Sequence, residues 1–187
     1  MSSRTYIVIL LVLSFIFYFS FLGRVHLFDW DEINFAESAR EMLVTGNFTQ
    51  VQINYQPFWE KPPLFFWLQA LSMQIFGVNE WAARFPNALF GVLTLLSLFW
   101  IGSRLYSPKM GFFWAMAYFG SFLPHLYFKS GIIDPVFNYF IFLGVYFLSQ
   151  SIEQKSTQYA VFSGIATGLA VLTKGPVGFL LVFLSFL

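Results

Sequence analysis

The chain has 187 residues and a net charge of +1. With 58% apolar and only 10% charged residues and a mean hydropathy of +0.68, it cannot be an ordinary soluble domain, whose charged share is about 25%, and its 22% aromatic content excludes a disordered chain. The remaining class is an integral membrane protein; no basic run points to nucleic acid, and the absence of cysteine excludes disulfides, a thiol nucleophile and thiolate metal sites.

The first charge-free run, 5–23, follows Arg4. A basic flank before an apolar core also opens a signal peptide, but this core is long and no A-x-A-like site precedes Arg24 and His26. The run predicts an uncleaved first span with a cytoplasmic N-terminus. Residues 31–43 predict a short helix outside the bilayer. Asp29 or Asp31 can cap it by accepting free backbone N–H groups, and Gly46 suits the left-handed position that closes it. The stretch 47–61, with Pro57, reads as a loop without periodicity.

Residues 62–79 form a second charge-free run, which either crosses the membrane or lies along its surface. Runs 85–103, 110–128, 135–152 and 156–173 predict further spans, and another starts at 175. Each is close to the ~20 residues that cross a bilayer as helix at ~1.5 Å rise per residue. The runs show no strand alternation, and only helices and closed barrels cross lipid. The fold class is therefore all-α, a polytopic transmembrane helical bundle. Its first outer loop, 24–84, carries interfacial, juxtamembrane helices. The sequence stops inside the apolar stretch GPVGFLLVFLSFL, so it is expected to be the N-terminal part of a longer chain.

Basic residues do not decide whether 62–79 crosses. A non-crossing segment puts Arg4, Arg104, Lys109 and Lys155 inside; a crossing one puts Arg4, Arg84, Lys129 and Lys174 there, four of the ten basic residues either way. The polar Gln69, Ser72, Gln74 and Asn79 and the Pro62-Pro63 start favour an interfacial helix. In that arrangement every acid except Glu153 faces outward, concentrating the ionisable chemistry on one face.

Four motifs can carry chemistry. Asp31-Glu32 can supply a general base or a metal ligand just outside a span; the bland alternative is a helix cap with solvated acids. Lys61, in Glu60-Lys61-Pro62-Pro63-Leu64, offers a compact positive charge for phosphate, or simply snorkels at a helix start. Asp134 precedes Pro135 at the mouth of a span, as a functional acid or as an N-cap. Lys174 interrupts an apolar stretch, where an ionisable residue is a functional hypothesis by default; otherwise it is a loop lysine. His26 and His125 lack the spacing of zinc ligands. Trp59, Trp67 and Trp81 read as an interface belt, and Arg84 marks the start of a span.

In order, the chain carries Asp31-Glu32-x-x-Phe35-Ala36-Glu37-x-x-Arg40-Glu41-Met42-Leu43, Gly46-Asn47, Glu60-Lys61-Pro62-Pro63-Leu64 with Trp67, Ala82-Ala83-Arg84-Phe85-Pro86, Asp134-Pro135 and Leu172-Thr173-Lys174-Gly175. The series resembles the N-terminal part of the GT-C membrane glycosyltransferases of family 39/83, which holds protein mannosyltransferases and lipid A aminoarabinose transferases. The resemblance implies juxtamembrane helices on the outer face, a polyprenyl-phosphate sugar donor, a lipid A, glycan or protein acceptor, and inversion at the anomeric carbon. It implies a multi-pass protein of the bacterial inner membrane with its active site on the periplasmic side. It assigns catalysis to Asp31, Glu32 and Asp134, with Asp31 as the base, and the donor phosphate to Lys61 and Lys174. A divalent metal ion on Asp134 is the one cofactor it brings into view. Many relatives have Tyr where this chain has Phe35, so no polar role is carried over there. A non-enzymatic transporter or scaffold is the alternative, although a transporter would place ionisable residues near mid-membrane and here they gather at the ends of the runs. Oligosaccharyltransferase is a nearer third reading, for which the chain shows no WWD-type signature. As a part of a longer enzyme, the chain is not expected to be active alone.

Overall fold

The structure, a computed structural model, describes residues 2–28 and 30–186. Asp29, one of the two acids expected to cap the 31–43 helix, lies outside them. The order of elements is α1 (Ser3–Ser14), a π-helical turn (Phe15–Phe19), α2 (Trp30–Thr45), β1 (Gln52–Ile53), β2 (Gln56–Pro57), α3 (Leu64–Phe76), α4 (Glu80–Leu105), α5 (Pro108–Phe119), α6 (Phe122–Tyr127), α7 (Asp134–Gln154), α8 (Thr157–Lys174) and α9 (Val177–Leu184). The chain divides into two compact units: residues up to Ile33 with Ser72–Ile132, and Asn34–Leu71 with Ile133 onward.

In the first unit, α1 is capped by Ser2, whose hydroxyl accepts the Thr5 N–H. Its Tyr6 ring stacks on Phe112 of α5 at 4.6 Å. Asn79 caps α4 by accepting the Ala82 N–H at 2.8 Å. Glu80 in its first turn and Arg104 in its last complement the helix dipole. Helices α4 and α5 approach backbone to backbone at a glycine pair: a Cβ on Gly102 would lie 2.7 Å from the Gly111 Cα. Larger residues at this crossing would hold the helices apart.

The apolar run 110–128, expected as one span, is divided into α5 and α6 at Gly120-Ser121. The cause is Pro124. Within a continuous helix its ring would collide with the carbonyl of residue 120, and its missing N–H would leave that carbonyl unpaired. In the first turn of a new helix neither penalty arises. His125 fastens the break, its Nε2 lying 2.7 Å from the Phe119 carbonyl oxygen.

Pro86, by contrast, sits inside α4. It cannot donate to the Ala82 carbonyl four residues back. Ser72, on α3, does so instead: its Oγ donates to Ala82 O at 2.7 Å in a fully buried bond. Ser72→Ala would leave that carbonyl unsatisfied, so it is expected to destabilise the protein by about 1–3 kcal/mol. Thermal unfolding of the full-length protein measures the loss, and Ser72→Thr, which keeps the hydroxyl, should recover most of it.

In the second unit, α7 ends on Lys155 in the left-handed conformation, φ 48°, and α8 returns against it. Ser163 Oγ of α8 donates to the Gly144 carbonyl of α7 at 2.9 Å, and α9 packs on both. Helix α2 closes at Gly46, φ 69°, a conformation that glycine adopts without strain. The stretch 47–61, expected as a loop without periodicity, contains the antiparallel pair β1–β2. Its turn residues Asn54 and Tyr55 have φ of 54° and 59°, the paired positive values of the tight hairpin turn that matches strand twist. Phe35 is buried, its ring edge-on to Phe65 and Phe66 at 6.0 and 5.5 Å. That site is apolar, which explains how phenylalanine serves there.

Among the described residues two helices are long and apolar enough to cross a membrane, α4 with 26 residues and α7 with 21. Helix α3, in the run that could cross or lie flat, has 13 residues. At ~1.5 Å per residue it falls short of a ~30 Å hydrocarbon core.

Candidate active site

The first candidate acids open α2. Asp31 and Glu32 are neighbours in its first turn, yet they meet opposite surroundings. Asp31 is exposed, and no partner holds it among the described residues. Its carboxylate sits where the free N–H groups of the helix start favour negative charge. Glu32 is 1% exposed and faces Arg84 of α4, 2% exposed.

The Glu32–Arg84 pair is fully satisfied. Arg84 Nε donates to Glu32 Oε1 at 2.8 Å, and Nη2 donates to Oε2 at 2.9 Å. Nη1 donates to the carbonyls of Leu22 at 2.8 Å and Val25 at 2.6 Å, and Nη2 also donates to His26 O at 3.0 Å. All five guanidinium N–H bonds are thereby used. On the carboxylate side, Oε2 also accepts the Phe28 N–H at 2.6 Å, and Oε1 accepts the Gly131 N–H. One buried pair thus ties together the segment after the first helix, the start of α2, the start of α4 and the turn after α6. The sequence marked Arg84 only as the beginning of a span. The missed signal is periodic: Arg84 shares a helical stripe with the buried Ala88, Gly91 and Leu95, and a charge on such a stripe requires a buried counter-charge.

Asn87, one turn further along α4, supports the same turn. Its Nδ2 donates to Ser130 O and to Ile132 O at 2.7 Å. At the edge of this region the exposed His26 lies 3.2 Å from Glu80 Oε1.

In the second unit, Asp134 and Lys174 are brought together. Asp134 is the first residue of α7 and Lys174 the last of α8. Lys174 Nζ donates to Asp134 Oδ1 at 2.6 Å, with both side chains 35% exposed. Each also sits at the helix end whose dipole favours its charge. Lys174 further stands over the Phe137 ring at 5.5 Å. Lys61 is half-buried in the segment before α3 and has no hydrogen-bond or ion-pair partner among the described residues. It is a cation available to an anionic ligand.

A polar network fixes the hairpin to α2. Arg40 grips Glu37 with two bonds of 2.8 and 2.6 Å, and its Nη2 lies 3.4 Å from Tyr55 Oη. Glu41 Oε2 accepts the Tyr55 N–H at 3.0 Å. The hydrogen bond from Arg40 holds the Glu37 carboxyl below its ordinary range. Trp67 Nε1 donates to Phe48 O at 2.6 Å, anchoring the chain ahead of the hairpin.

These residues do not fit a divalent metal ion. Among the described residues no three His, Asp or Glu side chains converge. Asp134, the residue considered for a metal, already holds an ammonium group, and a lone carboxylate paired with a cation lacks the oxygen ligands such an ion requires.

Residues 60–187 match the family of dolichyl-phosphate-mannose-protein mannosyltransferases. An uncharacterised protein of Aquifex aeolicus (strain VF5) is 33% identical over 89% of the chain, and the alignment takes in 34% of that protein. The undecaprenyl phosphate-alpha-4-amino-4-deoxy-L-arabinose arabinosyl transferase 2 of Pseudomonas fluorescens (strain Pf0-1) is 30% identical over 97% of the chain and 34% of its own length. Crystal structures of ArnT from Cupriavidus metallidurans, in the apo state and bound to undecaprenyl phosphate, superpose with a TM-score of 0.86 at 24% identity, over 95% of this chain and 34% of theirs. That likeness shows the fold. The chain therefore spans about a third of the length of the relatives it matches. The family match covers more than half of the chain and includes Lys61, Arg84, Asp134 and Lys174: the chain belongs to the dolichyl-phosphate-mannose-protein mannosyltransferase family.

Proposed function

We propose that this chain is part of a membrane glycosyltransferase that moves a sugar from a polyprenyl-phosphate donor to a lipid, glycan or protein acceptor, with inversion at the anomeric carbon. The observation that carries the reading is the contrast in the Asp31-Glu32 pair. One carboxylate is buried and fully bonded, and its neighbour stands exposed, without a partner among the described residues, on a helix start that the buried one holds in place.

Inverting transfer needs a base on one side of the anomeric carbon and charge compensation on the other. Asp31 takes the proton from the acceptor oxygen as that oxygen bonds to the anomeric carbon. The bond from that carbon to the phosphate oxygen breaks, and the polyprenyl phosphate leaves with the electron pair. Lys61 compensates the leaving phosphate. Asp134 holds Lys174, whose ammonium is a second positive group for the donor. The undecaprenyl phosphate bound by ArnT is a model for the donor's carrier lipid.

The membrane reading rests on the lengths of α4 and α7 and on the large apolar side chains exposed along α1, the π-helical turn, α4 and α9, such as Val8, Phe15, Trp100 and Phe179. The protein is placed as a multi-pass protein of the bacterial inner membrane. Helix α3 lies along the outer surface, and the site faces the periplasm.

The test uses the full-length protein in lipid nanodiscs with an undecaprenyl-phosphate-linked sugar and lipid A, a glycan or a protein as acceptor. Transfer with inverted anomeric configuration, read by NMR of the product, is expected; retention, or no transfer to any of these acceptors, overturns the reading. Free undecaprenyl phosphate should inhibit transfer. Lys61→Ala should raise its inhibition constant about tenfold or more, the effect of losing one charge-assisted hydrogen bond.

A further inference from the structure

We infer that Glu32 and Arg84 form a positioning clasp for the proposed base: they set the register of Asp31 without touching substrate. The inference rests on the function proposed above and replaces the expectation that Glu32 itself takes part in the chemistry.

The geometry leaves Glu32 no other task. Its two oxygens accept four bonds, from Arg84 Nε and Nη2 and from the backbone N–H groups of Phe28 and Gly131. A carboxylate with every acceptor position filled, 1% exposed, has none left for an acceptor proton. It also cannot move freely. The bidentate guanidinium fixes the plane of the carboxylate as well as its distance. Arg84 in turn is fixed by the carbonyls of Leu22, Val25 and His26.

This rigidity reaches Asp31 through the backbone. Asp31 and Glu32 are consecutive residues in the first turn of α2, so the direction in which the Asp31 side chain leaves the helix follows from where Glu32 is held. The segment entering α2 is held at the same carboxylate through the Phe28 N–H. Helix starts fray unless capped or anchored, and a base displaced by about 1 Å can lose roughly 10²-fold in rate. The Gly131 bond gives the clasp a second reach: the carboxylate that orients Asp31 also holds the turn after α6.

The test compares Glu32→Gln and Arg84→Lys with Asp31→Asn and Ser72→Ala in the full-length protein, with rates normalised to folded protein. Glu32→Gln keeps the shape but replaces one acceptor oxygen by an NH2 group that faces other donors. Arg84→Lys keeps the charge but loses the fork. Both are expected to lower kcat per folded molecule about 10- to 100-fold with KM for the donor within about twofold, the fraction of a ~1 Å misplacement that a partly retained clasp allows. Ser72→Ala weakens the same end of α4 without touching the clasp, and should leave kcat per folded molecule unchanged.

Unchanged kcat in Glu32→Gln and Arg84→Lys overturns the clasp. So does failure of both variants to accumulate, which would make the pair a requirement for folding rather than a positioning device. If Asp31→Asn is inactive while the clasp variants are fully active, the clasp fails and the function proposed for the site stands. If Asp31→Asn is fully active, the assignment of the base fails instead.

Discussion

Asp31→Asn in the full-length protein is expected to reduce kcat by about 10²- to 10⁴-fold, the range of general-base catalysis, with little change in stability. The substitution discriminates because it separates the two roles open to this residue. As a residue inside the first turn of α2, Asp31 contributes to stability mainly through its charge, which asparagine lacks. Removing the charge from the first turn forfeits at most about 1 kcal/mol of favourable interaction with the helix dipole. As a base, asparagine is useless, since its amide oxygen does not take a proton near neutral pH. A structural Asp31 therefore predicts a variant with normal activity, and a basic one predicts a folded protein that binds donor and scarcely turns over. The measurement is single-turnover transfer from an undecaprenyl-phosphate sugar, with the melting temperature recorded on the same preparation. A loss of activity below about threefold would remove Asp31 from the chemistry.

The exposed state of Asp31 and the buried state of Glu32 show where sequence reasoning succeeded and where it stopped. The acid pair is visible in the sequence, but composition around it does not say which acid meets water. The helical stripe does. Glu32, Phe35, Ala36, Ala39 and Met42 recur at spacings of three and four, and all are buried, so Glu32 lies on the core face of α2. Its partner is 52 positions away, a separation that no local pattern encodes. Asp134 and Lys174 illustrate the same limit. Both were singled out as span-end residues, yet their pairing depends on two antiparallel helices matching in length. The apolar runs located most of the helices because long charge-free runs without strand alternation fit a helix and not a strand. They missed the break between α5 and α6 because hydropathy does not register Pro124, whose missing N–H leaves the carbonyl of residue 120 without its helical donor. The hairpin of β1 and β2 escaped because its strands have two residues each, too few for alternation to show.

Arg84→Ala is expected to destabilise the protein by about 3–5 kcal/mol, the penalty for removing one partner of a buried ion pair. The argument depends on what is left behind. Without the guanidinium, Glu32 keeps only the Phe28 and Gly131 N–H donors, and the carbonyls of Leu22, Val25 and His26 lose their donors together. Folded domains are stable by only about 5–15 kcal/mol, so a loss of this size should sharply reduce the amount of folded full-length protein, measured by size exclusion and thermal unfolding. His26→Ala, which removes the exposed contact with Glu80, should leave both profiles unchanged. The decisive comparison is the double variant Glu32→Leu with Arg84→Met. Replacing both members of a buried pair by apolar groups of similar volume is often neutral or stabilising, so the double variant should recover much of the stability lost in Arg84→Ala, less what the stranded backbone groups withhold. It should recover little activity, because no apolar contact fixes the direction of α2 as a bidentate pair does. Stability restored together with activity would mean that the pair only fills space; stability restored without activity would show that the charges are retained for the orientation they impose.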